Sequence, residues 1–256
     1  MTLPFAISLP HSSLEIPGEC RSGMALGPDL IWESMDHGTS EIFSDLPAAA
    51  MIQAEWNRLV VDLNRSPEDT ADKGVVAQRD YAGREIFLPG HYPDPNQFAK
   101  RLVKYHEPYH QKLSQALLDK SIKVLFDCHS LRGKGPKEAP DRGMPRADIT
   151  LGNNGAPGGA VDPERGVLTC PTETFQFMAK CFEDQGLSVS LNQPYAGGYI
   201  TRHYGAILAE QGRMAVQIEV NKINYTRENE TILDQDMLNS FAAKVKKALF
   251  AISEGV

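Results

Sequence analysis

Six short apolar runs, each closing on polar or turn-forming residues, constrain this chain more than any other feature. They are FAISLPHSS (5–13), RLVVDLNRS (58–66), IKVLFDCHS (122–130), ADITLGNN (147–154), LSVSLNQPY (187–195) and MAVQIEVN (214–221). Helical periodicity falls between several of them, over roughly 29–45, 96–119, 172–185 and 235–252. Apolar strands separated by helices point to a mainly parallel or mixed central sheet covered on both faces, a three-layer α/β/α fold. In such sheets ligands bind beyond the carboxyl ends of the strands. Those ends present His11, Asn64 with Arg65, Asp127 with His129, Asn192 and Glu219. A polar residue closing one strand is ordinary. Two histidines, an arginine and a carboxylate closing four strands point to a shared reaction site.

The chain of 256 residues is long enough for one sizeable core, and residues 1–256 are expected to form a single domain. The stretches 130–146 and 152–166, rich in Gly, Pro and polar residues, read as surface loops of that domain and not as linkers. The net charge of −7, with basic residues scattered, argues against nucleic acid or an anionic membrane as partner. No run is long enough to span a bilayer, and the first residues lack the charge and apolar stretch of a signal peptide. Cys20, Cys128, Cys170 and Cys181 form no CxxC pair, so free thiols and a reducing, cytoplasmic setting are expected.

The segment His106-Glu107-Pro108-Tyr109-His110 spells H-E-x-x-H, which on an undistorted helix would offer two zinc ligands and a general base. Pro108 stands against that reading. Inside the amphipathic 96–119 pattern it removes one hydrogen bond and clashes with the carbonyl of residue 104, so the helix is expected to kink or restart there. His106 is then expected to be exposed, with Tyr109 and His110 packing or hydrogen-bonding near the site. GNNGAPGG carries no phosphate-loop pattern, and no G-x-S-x-G elbow is present. Cys128 reads as a buried strand residue.

The strand-end set sits among ISLPHSS, MDHGTSEIF, VVDLNRSPED, EPYHQKL, LFDCHSLR, ADITLGNNG, PYAGGYITRHYG and VQIEVNK, in that order from about residue 5 to 225. In these blocks the chain resembles the N-formylglutamate amidohydrolases, a family whose architecture is itself similar to that of zinc carboxypeptidases and aspartoacylases. The resemblance implies a zinc-dependent amidohydrolase of amino-acid catabolism, specifically histidine degradation, acting on the amide bond of an N-formyl or other N-acyl amino acid, N-formylglutamate first among them, to give formate and the free amino acid. It marks His11 and His129 as zinc ligands. The carboxypeptidase pattern places a glutamate three residues after the first histidine, but Leu14 stands there; the resemblance instead marks Asp36 of MDHGTS, where the N-formylglutamate family keeps an aspartate, as the preferred third ligand, with Glu15 its competitor. Glu219 takes the place of the general base. Arg65 and Asn64 would grip the amino-acid carboxylate. Gly197 and Gly198 of a Gly-rich loop would let backbone approach the ligand, with Arg202 polarising the scissile carbonyl or binding a second carboxylate and His203 donating a hydrogen bond. A broader N-acyl-amino-acid hydrolase and a non-catalytic module on the same fold are the alternatives.

Overall fold

The computed structural model describes residues 2–228 and 230–256. Its strands are β1 (Leu3–Leu9), β2 (Ala48–Gln53), β3 (Val124–Leu131), β4 (Ile149–Gly152), β5 (Val189–Leu191) and β6 (Met214–Asn221), with a small pair β7 (Thr226–Arg227) and β8 (Ile232–Leu233). The six form one sheet in the order β2-β1-β3-β6-β4-β5. All neighbours run parallel except β4, which is antiparallel to β6. The helices are α1 (Gly18–Arg21), α2 (Pro28–Ser34), α3 (Thr39–Phe43), α4 (Pro95–Arg101), α5 (Glu107–Ala116), α6 (Thr172–Glu183), α7 (Tyr199–Ala209) and α8 (Gln235–Glu254).

The period of two along each strand divides the core. Phe5, Ile7, Phe126, Cys128, Val216 and Ile218 face α3, α6 and α8. Ala6, Leu125 and Ala215 face the other way, beneath α5 and α7. Burying a side chain such as Phe126, 0% exposed, contributes roughly 1.5–3 kcal/mol. The second face turns polar toward the carboxyl ends of the strands. Ser8 pairs in register with Asp127, Asp127 with Gln217, and His129 with Glu219. One face of three adjacent strands therefore presents a row of polar side chains, while the opposite face is apolar up to Ser130 near the end of β3. Among the described residues, no helix is long and apolar enough to cross a membrane. The four cysteines are free and buried.

Three elements differ from the sequence expectation. The run 58–66 is not a strand but a series of turns, and the strand beside β1 is the alanine-rich β2. The cause lies in Asp62, whose Oδ1 accepts a hydrogen bond from Asn64 N at 2.9 Å and bends the backbone out of the extended form. The helix expected over 29–45 breaks into α2 and α3. Gly38 between them has φ 87°, and a Cβ there would lie 2.5 Å from the Tyr225 ring, so only glycine fits the turn. The Gly-rich loop expected around PYAGGYITRHYG becomes helix α7 immediately after Gly198, with Arg202 and His203 on the helix.

Pro108 acts as expected. Helix α4 opens on a capping box of Asp94 and Gln97. It then widens into a π turn over Leu102–His106, and α5 restarts at Glu107 with Pro108 in its first turn. Pro108 has no N–H for the carbonyl of Lys104, and the wider turn relieves the clash.

Candidate metal centre and active site

His11 follows β1, His129 closes β3, and Asp36 stands in the break between α2 and α3. These distant pieces converge. His11 Nδ1 lies 3.2 Å from Asp36 Oδ2, His129 Nδ1 lies 3.1 Å from the same oxygen, and the two Nδ1 atoms are 3.1 Å apart. All three residues are buried. The other nitrogen of each ring is held by a carboxylate: His11 Nε2 by Asp62 Oδ1 at 2.8 Å, His129 Nε2 by Asp127 Oδ1 at 3.0 Å. Each ring thus donates its Nε2–H outward and turns an Nδ1 lone pair inward.

Two nitrogen lone pairs and a carboxylate oxygen within 3.2 Å of one another repel unless a cation lies among them. Donors about 2.0–2.1 Å from a tetrahedral zinc ion lie about 3.3 Å apart, close to the spacing here. The residues therefore fit a divalent metal. The demand for positive charge also shows in the titration of the groups. Burial pushes His129 toward neutrality, yet Asp127 and Asp36 outweigh it and raise its pKa well above the ordinary value. Burial disfavours ionised Asp36, but His11 and His129 hold its carboxyl well below the usual range. Asp62 behaves alike, with burial opposed first by Arg58, which binds it at 2.6 Å, and then by His11. Ser130 Oγ adds a bond to Asp36 Oδ1 at 3.3 Å. Glu15, the competing ligand, is exposed and outside this cluster.

Glu219 stands beside His129 in the sheet register, 8% exposed. Burial raises its pKa to about 7, the nearby Asp36 and Asp127 reinforcing the shift. Its Oε1 accepts from Gln217 Nε2 at 2.9 Å, and Gln217 Oε1 in turn accepts from Gly198 N at 2.7 Å. Helix α7 is anchored to the site through its first turn. Ile200 N donates to Asn64 Oδ1 at 2.8 Å, and Thr201 Oγ1 to Asp127 Oδ2 at 3.1 Å. Asn64 Nδ2 is 3.0 Å from His129 Nε2. A Cβ on Gly198 would lie 2.2 Å from the Asn64 amide, so the close approach served by this glycine is to Asn64.

A cavity of about 500 Å³ opens over the cluster, lined by His11, Asp36, His129, Glu219, Asn64, Arg65, Gly197 and Gly198 among others. Seven of its lining side chains are Arg or Lys and four are Asp or Glu, in a chain of net charge −7. Arg58, Arg146 and Arg165 are matched by Asp62, Asp141 and Asp162, while Arg65, Arg132 and Lys222 form no ion pair among the described residues and suit an anionic ligand. Arg65 is half-buried, with Nε bound to the Lys73 carbonyl at 3.1 Å and Nη1 to the Asn64 carbonyl at 3.4 Å. Arg146 is matched by Asp141 at 2.7 and 2.8 Å. Arg132, with its guanidinium 5.8 Å from the Tyr81 ring centre, makes no ion pair among the described residues.

Arg202 and His203 are exposed on α7 and are not among the residues lining the cavity. The Arg202 Nε binds the Gly198 carbonyl at 3.3 Å, and His203 stacks on Tyr199 at 5.0 Å. Conversely, Asp62, Gln217, Thr201 and Arg132 were not singled out by the sequence. The signal for Gln217 was present in the alternation of VQIEVN, where Gln217 and Glu219 share one face. Asp62 is hidden in a run that reads as an apolar strand.

The H-E-x-x-H residues lie elsewhere. His106 is buried, not exposed, at 3%. Its ring stacks on His110 at 4.2 Å, and the two rings address different backbone carbonyls. Tyr109 hydrogen-bonds Ser8 Oγ at 2.8 Å beneath Asp127.

A family model described as N-formylglutamate amidohydrolase matches residues 3–226. The chain is 31% identical over 243 residues to the N-formylglutamate deformylase of Pseudomonas putida, which spans 89% of this chain and 84% of that protein. It is 29% identical over 236 residues to the N-formylglutamate deformylase of Pseudomonas aeruginosa, spanning 88% and 83%. In three dimensions it is similar to the crystal structure of N-formylglutamate amidohydrolase from Ralstonia eutropha JMP134. The TM-score is 0.75 at 17% identity, over 100% of this chain and 96% of that one, a likeness of fold.

Proposed function

The chain belongs to the N-formylglutamate amidohydrolase family, and from this premise we propose that it hydrolyses the amide bond of N-formylglutamate to formate and glutamate, with a divalent metal as cofactor. The observation that carries the reading is the inward convergence of His11 Nδ1, His129 Nδ1 and Asp36 Oδ2 beside the buried Glu219, in a cavity where Arg65 and Arg132 form no ion pair among the described residues. These three residues would hold the metal, and the nitrogen-rich donor set favours zinc among common ions. When bound, such an ion supplies a Lewis acid that acidifies water and draws charge from the acyl oxygen.

The remaining chemistry belongs to the chain. Glu219 Oε1 is occupied by Gln217, which leaves Oε2 to take a proton from the attacking water and deliver it to the leaving nitrogen. Asp62 and Asp127 hold the two imidazoles in one tautomer and orientation. Arg65 and Arg132 each bind one carboxylate of the dianionic substrate, Arg65 through the Nη2 that the protein leaves free among the described residues. Asn64 supports the site through α7, accepting Ile200 N. Arg202 and His203, exposed on α7 and outside the cavity lining, are given no role in the reaction.

The test is turnover of a substrate panel by protein purified with and without added zinc: N-formylglutamate, N-acetylglutamate, N-formylglutamine and N-formylmethionine. Preference for N-formylglutamate that is lost on chelation and restored by zinc is expected. Equal turnover of the acetyl compound would favour a broader N-acyl-amino-acid hydrolase.

A further inference from the structure

We propose that His106 and His110 are positioning residues that clamp the Asp62–Arg65 turn onto the site through its backbone carbonyls. His106 Nε2 lies 3.0 Å from the Arg65 carbonyl, and His110 Nε2 lies 3.0 Å from the Leu63 carbonyl. These two oxygens flank Asn64. Among the described residues neither has another hydrogen-bond donor. Leu63 is 3% exposed, and a buried carbonyl left without a donor is costly.

The turn so held has no strand or helix of its own, yet it reaches both metal-side imidazoles. Asp62 Oδ1 takes the His11 Nε2–H at 2.8 Å, and Asn64 Nδ2 sits 3.0 Å from His129 Nε2. Asn64 also receives Ile200 N at the start of α7, and Arg65 reaches the cavity wall. A shift of this one turn would move the outer partner of the His11 ring, the start of α7 and the substrate cation together.

The clamp is built for a single hydrogen-bonding state. His110 Nε2 faces the Leu63 carbonyl, which can only accept, so Nε2 carries the ring proton and Nδ1 is left to accept from Tyr204 Oη at 3.0 Å, a hydroxyl that also lies 3.1 Å from the His110 carbonyl. The rings stack at 4.2 Å with 30° between their planes. Burial lowers the pKa of both, His110 to about 3, so each is neutral near pH 7 and carries one N–H. The π turn that ends at His106 brings the two rings together on the turn. The H-E-x-x-H spelling thus marks a pair of donors to backbone and not a metal site.

The inference rests on the reading of the cavity as the hydrolytic site, and the experiment separates the two. Nitrogen-15 NMR of histidine-labelled wild-type protein reads the rings directly. His106 and His110, assigned through His106→Gln and His110→Gln, are expected as neutral Nε2–H tautomers with slowly exchanging ring protons. A His106→Leu variant is expected to lose about tenfold or more in zinc affinity, measured by chelator competition, with a comparable fall in kcat/KM. His106→Gln, which keeps an amide donor at a similar reach, is expected to restore both to within about threefold of wild type. Rapidly exchanging or Nδ1–H rings in wild type would overturn the clamp even if the leucine variant fails to fold. So would wild-type zinc affinity in His106→Leu, or a glutamine variant no better than leucine. If wild type turns over no N-formyl amino acid, the reading of the cavity fails, while ring signals and zinc affinity still judge the clamp.

Discussion

The Nδ1 atoms of His11 and His129 face each other at 3.1 Å across a separation of 118 residues. Neither ring can turn its other nitrogen inward without giving up a hydrogen bond to Asp62 or Asp127. The arrangement leaves a pair of imidazole lone pairs and the Asp36 carboxylate with nothing but a cation to point at, and the first prediction follows from it.

His11→Ala or His129→Ala should abolish stoichiometric metal and activity. Asp36→Ala should lower metal occupancy far more than Glu15→Ala, because Glu15 is exposed and stands apart from the cluster. Elemental analysis after dialysis, with zinc titration of each variant, checks this. The opposite order for the two acidic residues would remove Asp36 from the donor set.

Glu219→Gln should keep metal and substrate binding and lower kcat by about 10²–10⁴-fold, the range for loss of a general base. Glutamine retains the shape and the bond to Gln217. The carboxyl of Glu219 is raised to about 7 by burial, and a neighbouring cation favours its ionised form. The rate should therefore rise with pH along a limb centred at or below about 7, and that limb should vanish in the variant. A pH–rate profile with the same acidic limb in both proteins would assign the base elsewhere.

Arg65 and Arg132 should read different ends of the substrate. Arg65→Lys should lose on the order of 10²-fold in kcat/KM, about 3 kcal/mol, since an ammonium cannot reproduce a guanidinium edge. The loss should largely disappear on the α-amide of N-formylglutamate. Arg132→Met should cost N-formylglutamate far more than N-formylglutamine. Kinetics on the acid and the two amides decide it, and an equal loss on all three would leave neither arginine a carboxylate to read.

Acid should loosen the clamp through the folding equilibrium. The His110 ring has its pKa lowered to about 3, by burial first and then by His106, against an ordinary value of 6.5. Between these values the unfolded chain binds the proton and the folded chain does not, so stability falls as pH drops from about 6.5 toward 3. At pH 5 this ring should account for on the order of 1–2 kcal/mol. Denaturant melts of wild type and His110→Gln from pH 7 to 4 should show a shallower decline in the variant.

Much of this was written locally in the chain. The alternations Phe126-Asp127-Cys128-His129 and Val216-Gln217-Ile218-Glu219 each put apolar residues on one face of a strand and chemistry on the other. That is a property of the extended backbone and needs no tertiary information. Pro108 likewise broke its helix by its own covalent structure. The α/β architecture and the strand-end positions of His129 and Glu219 were within reach for these reasons, whereas Asp36 and the ligand role of His11 came from the family resemblance.

Other features rest on contacts that no window of sequence contains. Asp36 joins the cluster because Gly38 turns the chain beneath Tyr225, far along the sequence. Asp62 leaves an apolar run because its side chain captures Asn64 N and His11 Nε2 in place of a strand ladder. The residues of YITRHYG become helical because Asn64, Asp127 and Gln217 receive the groups of their first turn. And two histidines one turn apart reach backbone carbonyls rather than a metal because the fold brings the Leu63 and Arg65 carbonyls against them, with no other donor to either among the described residues. By itself the sequence determined which residue types close each strand, through periodicity and local sterics. Only the tertiary structure decided which of them meet, because a hydrogen bond between residues a hundred positions apart depends on how the whole chain has packed.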